Sequence, residues 1–86
     1  MKNFVLVANQ IKESIIKAAK SEGLKVNANM LNVNAVQRDG VHSVMIGSGK
    51  HNADLFAGKW KTETAFKRNV LLPENIAAMV GIIRNW

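Results

Sequence analysis

The sequence predicts a small α+β domain in which a mostly antiparallel three-stranded sheet is packed by an N-terminal and a C-terminal helix. Apolar residues recur with a helical period near the start, alternate with polar residues in the middle, and recur with a helical period again after Pro73. The predicted order is therefore α-β-β-β-α. A chain of 86 residues, 48% of them hydrophobic, has the size and composition of one domain spanning residues 1–86.

The first helical pattern runs from Phe4 to Ala19. Its apolar residues lie within a stripe about 120° wide when successive residues are placed 100° apart, as in an amphipathic helix. They are Phe4, Val7, Ala8, Ile11, Ile15, Ala18 and Ala19. Gly23 follows where a left-handed cap ends a helix. A short strand over Phe4 to Val7 is the alternative, because Val5 and Leu6 lie off the stripe.

The middle of the chain has the two-residue period of strands. Leu24 to Val36 alternates but changes parity near Met30-Leu31, which predicts a strand with a bulge or a break. Asp39-Gly40 is a tight-turn signal, so Val41 to Ile46 is predicted to complete a hairpin. A third strand is expected over Leu55 to Lys61.

The parity of this third strand separates its aromatic and basic side chains. Phe56 and Trp60 fall on one face, whereas Lys59 and Lys61 fall on the other. We therefore expect the aromatic rings to face the core and the lysines to face outward. No element is predicted with comparable support for residues 62–71.

The last helix begins at Pro73, which suits a first helical position, and extends to Arg84. Its apolar residues form two rows that together span about 200° of arc. The first row is Ile76, Met79, Val80 and Ile83, and the second is Ala78, Ile82 and Trp86. Either the whole helix is sunk in the core, or the second row forms an interface with another protein or a second copy, as in a homodimer.

Charge gives the main indication of function. Twelve basic residues against six acidic ones leave a net charge of +6, which favours nucleic acid or an acidic protein surface as the partner. The densest group surrounds Glu63, and further lysines lie in the central loop and on the first helix. The candidate binding residues are Lys59, Lys61, Lys67, Arg68, Lys50, Lys17 and Lys20. Contacts of this kind bind the phosphate backbone and read little sequence.

The segment Gly47-Ser48-Gly49-Lys50 resembles a phosphate-binding loop only superficially. A P-loop would need glycine in place of Val44 and a hydroxyl residue in place of His51. The loop is expected to be a simple connection or to contact a phosphate through Lys50. No nucleotide or other cofactor is predicted.

Catalytic side chains are scarce. The chain has no cysteine and two histidines, so neither a thiolate nucleophile nor a zinc site of usual composition is expected. A metal-free ribonuclease would need His42 and His51 close together, with Lys50 or Arg68 to stabilise the phosphorane. We expect the protein not to be an enzyme.

Four asparagines recur between positions 27 and 34, although asparagine is normally depleted in strands. They are Asn27, Asn29, Asn32 and Asn34. Their amides could recognise adenine edges or a partner strand, or they could belong to a solvated sheet face with some turn chemistry. The second interpretation is favoured.

The leading hypothesis is a non-enzymatic accessory or regulatory protein that binds the nucleic-acid backbone. The alternative is an inhibitor or adaptor that docks on an acidic or nucleic-acid-binding surface of a larger complex. A third is a structural subunit that self-assembles through the last helix. The apolar run at Phe4–Ala8 is too short for a signal peptide or membrane span, so we expect a cytoplasmic protein without a membrane partner.

Overall fold

The computed structural model describes residues 2–48 and 51–86. Within these ranges the chain forms four strands and three helices. They are β1 (Lys2–Asn3), α1 (Val5–Ser21), β2 (Asn32–Arg38), β3 (Val41–Gly47), β4 (Asn52–Gly58), α2 (Glu63–Val70) and α3 (Pro73–Arg84). The strands pair antiparallel in the order β1-β2-β3-β4. The predicted α+β class is confirmed, while β1 and α2 are additions to the predicted order.

Helix α1 confirms the first predicted helix. Its buried residues belong to the predicted stripe: Val7, Ala8, Ile11, Ile15 and Ala19. The helix ends in a Schellman motif, in which the N–H of Gly23 donates to Lys20 O (3.0 Å) and that of Leu24 to Ala19 O (2.9 Å). Gly23 has φ +79°, the left-handed conformation expected at this position.

Strand β1 ends just before α1 and replaces the alternative strand over Phe4 to Val7. Lys2 pairs with Gln37 and Asn3 pairs with Val36, after which the N–H of Phe4 donates to Ala35 O (2.8 Å). Two residues show no alternation, so periodicity could not have indicated this strand.

Strand β2 is shorter and later than predicted, because the residues from Leu24 to Leu31 lie outside it. Asn27 explains the difference: its side-chain oxygen accepts the N–H of Asn29 (3.0 Å), and its carbonyl accepts the N–H of Leu31 (3.2 Å). These bonds close a turn that competes with a strand. The change of parity near Met30-Leu31 therefore marks the start of β2 rather than a bulge within it.

The predicted hairpin of β2 and β3 is confirmed. Asp39 (φ +53°) and Gly40 (φ +79°) have the positive φ values of a type I′ turn. The register runs from Arg38 opposite Val41 to Asn32 opposite Gly47.

Strand β4 begins and ends three residues earlier than expected, at Asn52 and Gly58. Its pairing with β3 is shifted between His42 and Val44, and Phe56 in β4 has φ +56°. A bulge of this kind breaks the alternation of side chains. Lys59, Trp60 and Lys61 consequently follow the strand, and the parity argument does not apply to them.

Helix α2 fills the segment for which no element was predicted. Thr62 is its N-cap, and the Thr62 hydroxyl oxygen accepts the N–H of Ala65 (3.0 Å). Phe66 and Val70, one turn apart, are its buried residues. Helix α3 then begins at Pro73, as predicted.

The core lies between one face of the sheet and the three helices. Ala35, Val44 and Ile46 face inward from the strands and are at most 2% exposed. They join one buried cluster with residues of every helix, including Ile11, Phe66 and Met79. The molecule therefore has two layers, and the other face of the sheet carries no element of the described chain.

Candidate functional site

Six of the seven candidate basic residues lie in the described part of the chain. Lys50, like the preceding Gly49, lies outside the described residues. The other six divide among three parts of the chain. Lys17 and Lys20 lie on α1, Lys67 and Arg68 on α2, and Lys59 and Lys61 on the segment that leads from β4 into α2. All are exposed except Lys67, which is partly buried.

The lysines of α1 lie on the side of the helix that faces away from the core. At 100° per residue, Leu6, Gln10, Glu13, Lys17 and Lys20 share a stripe about 80° wide. Leu6 is 76% exposed, whereas Ile11 and Ile15 on the opposite side have no exposed surface. We call these five residues the outer stripe of α1.

The N-terminal ends of α1 and α2 meet beside this stripe. Leu6, Val7 and Gln10 line a groove of about 160 Å³ together with Glu63, Thr64 and Lys67. Lys67 therefore lies at one end of the outer stripe. Lys20 lies about 15 Å along the helix from Gln10, at 1.5 Å per residue. Lys17, Lys20 and Lys67 therefore lie along one side of the molecule, and sequence spacing alone could not have shown that α1 and α2 share it.

Neutralisation by acidic neighbours is limited. Within the described residues, 2–48 and 51–86, there is one ion pair, and it joins Arg84 Nη2 to Glu22 Oε1 (3.0 Å). It connects the ends of α3 and α1 and involves none of the six candidate cations. Within the outer stripe, Glu13 offsets one of the two lysines in formal charge. Glu63 also lines the groove that contains Lys67, without an ion pair between them.

Trp60 does not offer a free stacking surface between Lys59 and Lys61. It is half-buried, and its ring packs against Phe66 (5.3 Å between centroids) and edge-on against His42 (5.9 Å). The expectation that Trp60 faces the core is met, although the reason is this aromatic cluster and not strand parity. Phe56 is also partly buried against the core.

The two histidines are not brought together. His42 is 2% exposed at one end of β3, whereas His51 is exposed beyond the other end. Five residues of strand separate His42 from Gly47, which is about 16 Å at 3.3 Å per residue. The arrangement that a metal-free ribonuclease would need is therefore not formed by this pair. In the described ranges, no three Asp, Glu, His or Cys side chains form a group that could hold a metal ion.

The predicted interface row on α3 is divided between surface and interior. Ala78 is exposed, while Ile82 and Trp86 are half-buried and pack against the chain's own core. The Trp86 ring also stacks on His51, with centroids 6.4 Å apart and planes 19° apart. Two of the three residues of this row therefore pack against the protein's own core.

The asparagines occupy two different settings. Asn27 and Asn29 form the turn before β2, whereas Asn32 and Asn34 are exposed on β2 itself. The latter two point away from the helices, because their neighbours Val33 and Ala35 pack on the core. They lie on the opposite side of the molecule from the cations of α1 and α2. The exposed asparagines of β2 and the cations of α1 and α2 therefore do not belong to one ligand-binding surface.

Comparisons with protein-family models, with curated proteins and with solved structures find no match to this chain. The positions, charges and packing of the described residues are therefore the observations that bear on function. Among the helices that the structure describes, none is both long enough and apolar enough to cross a membrane.

Proposed function

We propose that the protein binds nucleic acid through the outer side of its helical layer and contacts the phosphate backbone. The observation that carries this proposal is the set of six cations on α1, on α2 and on the segment that joins β4 to α2. None of the six takes part in an ion pair within the described ranges. Each lies on or beside a helix anchored in the core, and all of them except the partly buried Lys67 are exposed.

The chemistry of this surface favours backbone contact over base recognition. Lys and Arg neutralise phosphates and release condensed counterions, which gives affinity with little dependence on sequence. Trp60, which stands between Lys59 and Lys61 in the sequence, is packed against His42 and Phe66. Stacking on exposed bases would require such a ring at the surface.

The test is a fluorescence-anisotropy titration with labelled duplex DNA, duplex RNA and single strands of mixed sequence. If the six cations each neutralise one duplex phosphate, log affinity should fall against log salt with a slope of about −5. Affinity should then drop by about a thousandfold between roughly 50 and 200 mM salt. No binding to any of these probes at low salt would refute the proposal.

Paired substitutions locate the surface. Lys17→Gln with Lys20→Gln, and Lys67→Gln with Arg68→Gln, should each reduce the magnitude of the salt slope by about 2. Lys2→Gln with Arg38→Gln removes the same charge from strands β1 and β2, and should leave the slope nearly unchanged. Equal losses in all three variants would mean that net charge alone drives binding and that no defined site exists.

A specific observation also supports the alternative, an adaptor or inhibitor that docks on an acidic protein surface. Leu6 is 76% exposed and lines the groove that also contains Lys67 of α2, and an apolar side chain contributes nothing to a phosphate contact. An acidic protein could bury Leu6 at the centre of a charged rim. In that case Leu6→Gln should abolish retention of a discrete acidic partner from nuclease-treated lysate without changing nucleic-acid titrations.

A further inference from the structure

The face of the sheet opposite the helices is uncovered in the described chain and is rich in amides. The antiparallel register places Asn3, Asn32, Asn34 and Asn52 on it, all of them exposed. A primary amide both donates and accepts hydrogen bonds. A surface of such groups is therefore complementary to a copy of itself.

The charge of this face differs from that of the whole molecule. In the part of this face before the β4 bulge the charged residues are Arg38 on β2 and Asp54 on β4, so the formal charge of that part is zero in a chain of net charge +6. A second copy can approach here without bringing the cations of the helical layer together. A phosphate backbone would find one cation and one anion.

The two charges are arranged symmetrically about Ser43, a half-buried residue of the central strand β3. Arg38 pairs with Val41, two residues before Ser43, whereas Asp54 pairs with Met45, two residues after it. Each charged residue is thus one strand and two residues away from Ser43, in opposite directions. A two-fold axis that lies in the interface, passes Ser43 and runs perpendicular to the line from Arg38 to Asp54 brings each Arg38 opposite the second copy's Asp54.

We infer that this face binds a second copy of the chain, so that two four-stranded sheets pack face to face around a two-fold axis at Ser43. The apolar side chains Val41 and Met45, which are 37% and 40% exposed, flank the axis and are buried by the contact. The two ion pairs fix the relative orientation of the sheets. The amides lie beside this centre and toward its Met45 end, where they bond across the interface.

The size of the face predicts a weak, reversible dimer. Four strands spaced about 4.8 Å apart, with seven residues at about 3.3 Å each in the longer strands, present roughly 400 Å² per copy. Stable interfaces bury about 800 Å² per partner. The dimer should therefore form at high local concentration, such as several copies bound along one polymer.

Sheet-to-sheet pairing leaves both helical layers on the outside. The cations of α1 and α2 then lie on opposite sides of the dimer. In combination with the proposed function, on which this step rests, the dimer bridges two separate nucleic-acid segments.

Sedimentation velocity between about 10 µM and 1 mM tests dimer formation without nucleic acid, in the concentration range of a small interface. Arg38→Asp and Asp54→Arg should each weaken the dimer at least tenfold. The double variant carrying both changes should regain most of the loss, because its ion pairs are restored with reversed polarity. Net charge cannot mimic this pattern, since the two single changes shift it in opposite directions.

Two results would overturn the inference: a monomer at the highest concentration, or a dimer that is insensitive to these changes. In the second case, loss of the dimer in Ala78→Lys would assign self-association to α3 instead.

Bridging is measured separately, by capture of a fluorescent duplex on beads that carry an unlabelled duplex. The wild type should co-capture it, whereas Arg38→Asp should bind duplex but not bridge. A dimer that binds no nucleic acid would refute the proposed function alone, and binding by a strict monomer would refute the dimer alone.

Discussion

The backbone N–H of Trp60 donates a hydrogen bond of 3.4 Å to Nδ1 of His42 on strand β3. The same imidazole stacks on Phe4 (5.8 Å between centroids, 11° between planes) and contacts the ring of Phe66 at 4.9 Å. His42 therefore joins the start of α1, the segment before α2 and α2 itself. Since Lys59 and Lys61 flank Trp60, the cluster also holds part of the candidate binding surface in place.

Replacing His42 by alanine should lower the free energy of unfolding by about 3 kcal/mol, because the change leaves a cavity among three aromatic rings. His42→Phe keeps a ring but loses the acceptor for the Trp60 N–H, so its cost should be about 1 kcal/mol. Urea unfolding followed by circular dichroism measures both. His51 is the control, because its aromatic contact is a single stack on Trp86 at an exposed position, and His51→Ala should cost much less than His42→Ala. Equal effects at both histidines would contradict this role.

The fold could be predicted from the sequence where the signal is repeated over many residues. The stripe of α1 and the Asp39-Gly40 turn each combine a period or turn chemistry with a clear boundary. Strand β1 could not be found, because two residues define no period. Helix α2 did leave a signal, since Thr62 precedes a turn in which Phe66 and Val70 are four residues apart. The alternation at Leu24 and Val26 wrongly predicted a strand, because both side chains pack on the core although neither residue belongs to a strand.

Replacing two glycines by alanine should change the stability of the protein in opposite directions. Gly23 has φ +79°, and a methyl group there would meet no atom within 4 Å, so Gly23→Ala should cost about 1 kcal/mol through its backbone conformation alone. Gly81 lies inside α3 and is equally free of neighbours, so Gly81→Ala should stabilise the protein by about 0.5–1 kcal/mol. Thermal unfolding of both variants measures the difference. A stabilising Gly23→Ala would contradict the Schellman cap.

The cap of α2 should contribute measurably to stability. Thr62→Ala removes the oxygen that accepts the N–H of Ala65 and should cost about 1 kcal/mol. Thr62→Ser keeps a hydroxyl and should cost much less. Amide hydrogen exchange at Ala65 should accelerate in the alanine variant. Thr64→Ala, an exposed substitution in the same turn, is the control, and an effect as large as that of Thr62→Ala would show that the cap is not the cause.

The candidate site was less predictable than the fold, because a surface depends on contacts between distant parts of the chain. Sequence identified Lys17, Lys20 and Lys67 as cations, but the groove between α1 and α2 is what places them on one side. The symmetry of Arg38 and Asp54 about Ser43 depends on strand register, which the sequence does not specify to the residue. The position of Trp60 had been predicted from the alternation of side chains along a strand, and the bulge at Phe56 interrupts that alternation.

Trp60 fluorescence distinguishes backbone contact from base stacking. In a Trp86→Phe variant Trp60 is the one remaining tryptophan, and its packing against His42 and Phe66 should keep its emission nearly constant as nucleic acid is added. Binding is followed in the same titration by the anisotropy of the labelled nucleic acid. The Trp60→Phe variant, which retains Trp86 alone, reports on the far end of the molecule. Strong quenching of Trp60 with the same midpoint as binding would mean that bases stack on it, and the surface would then read exposed bases as well as phosphates.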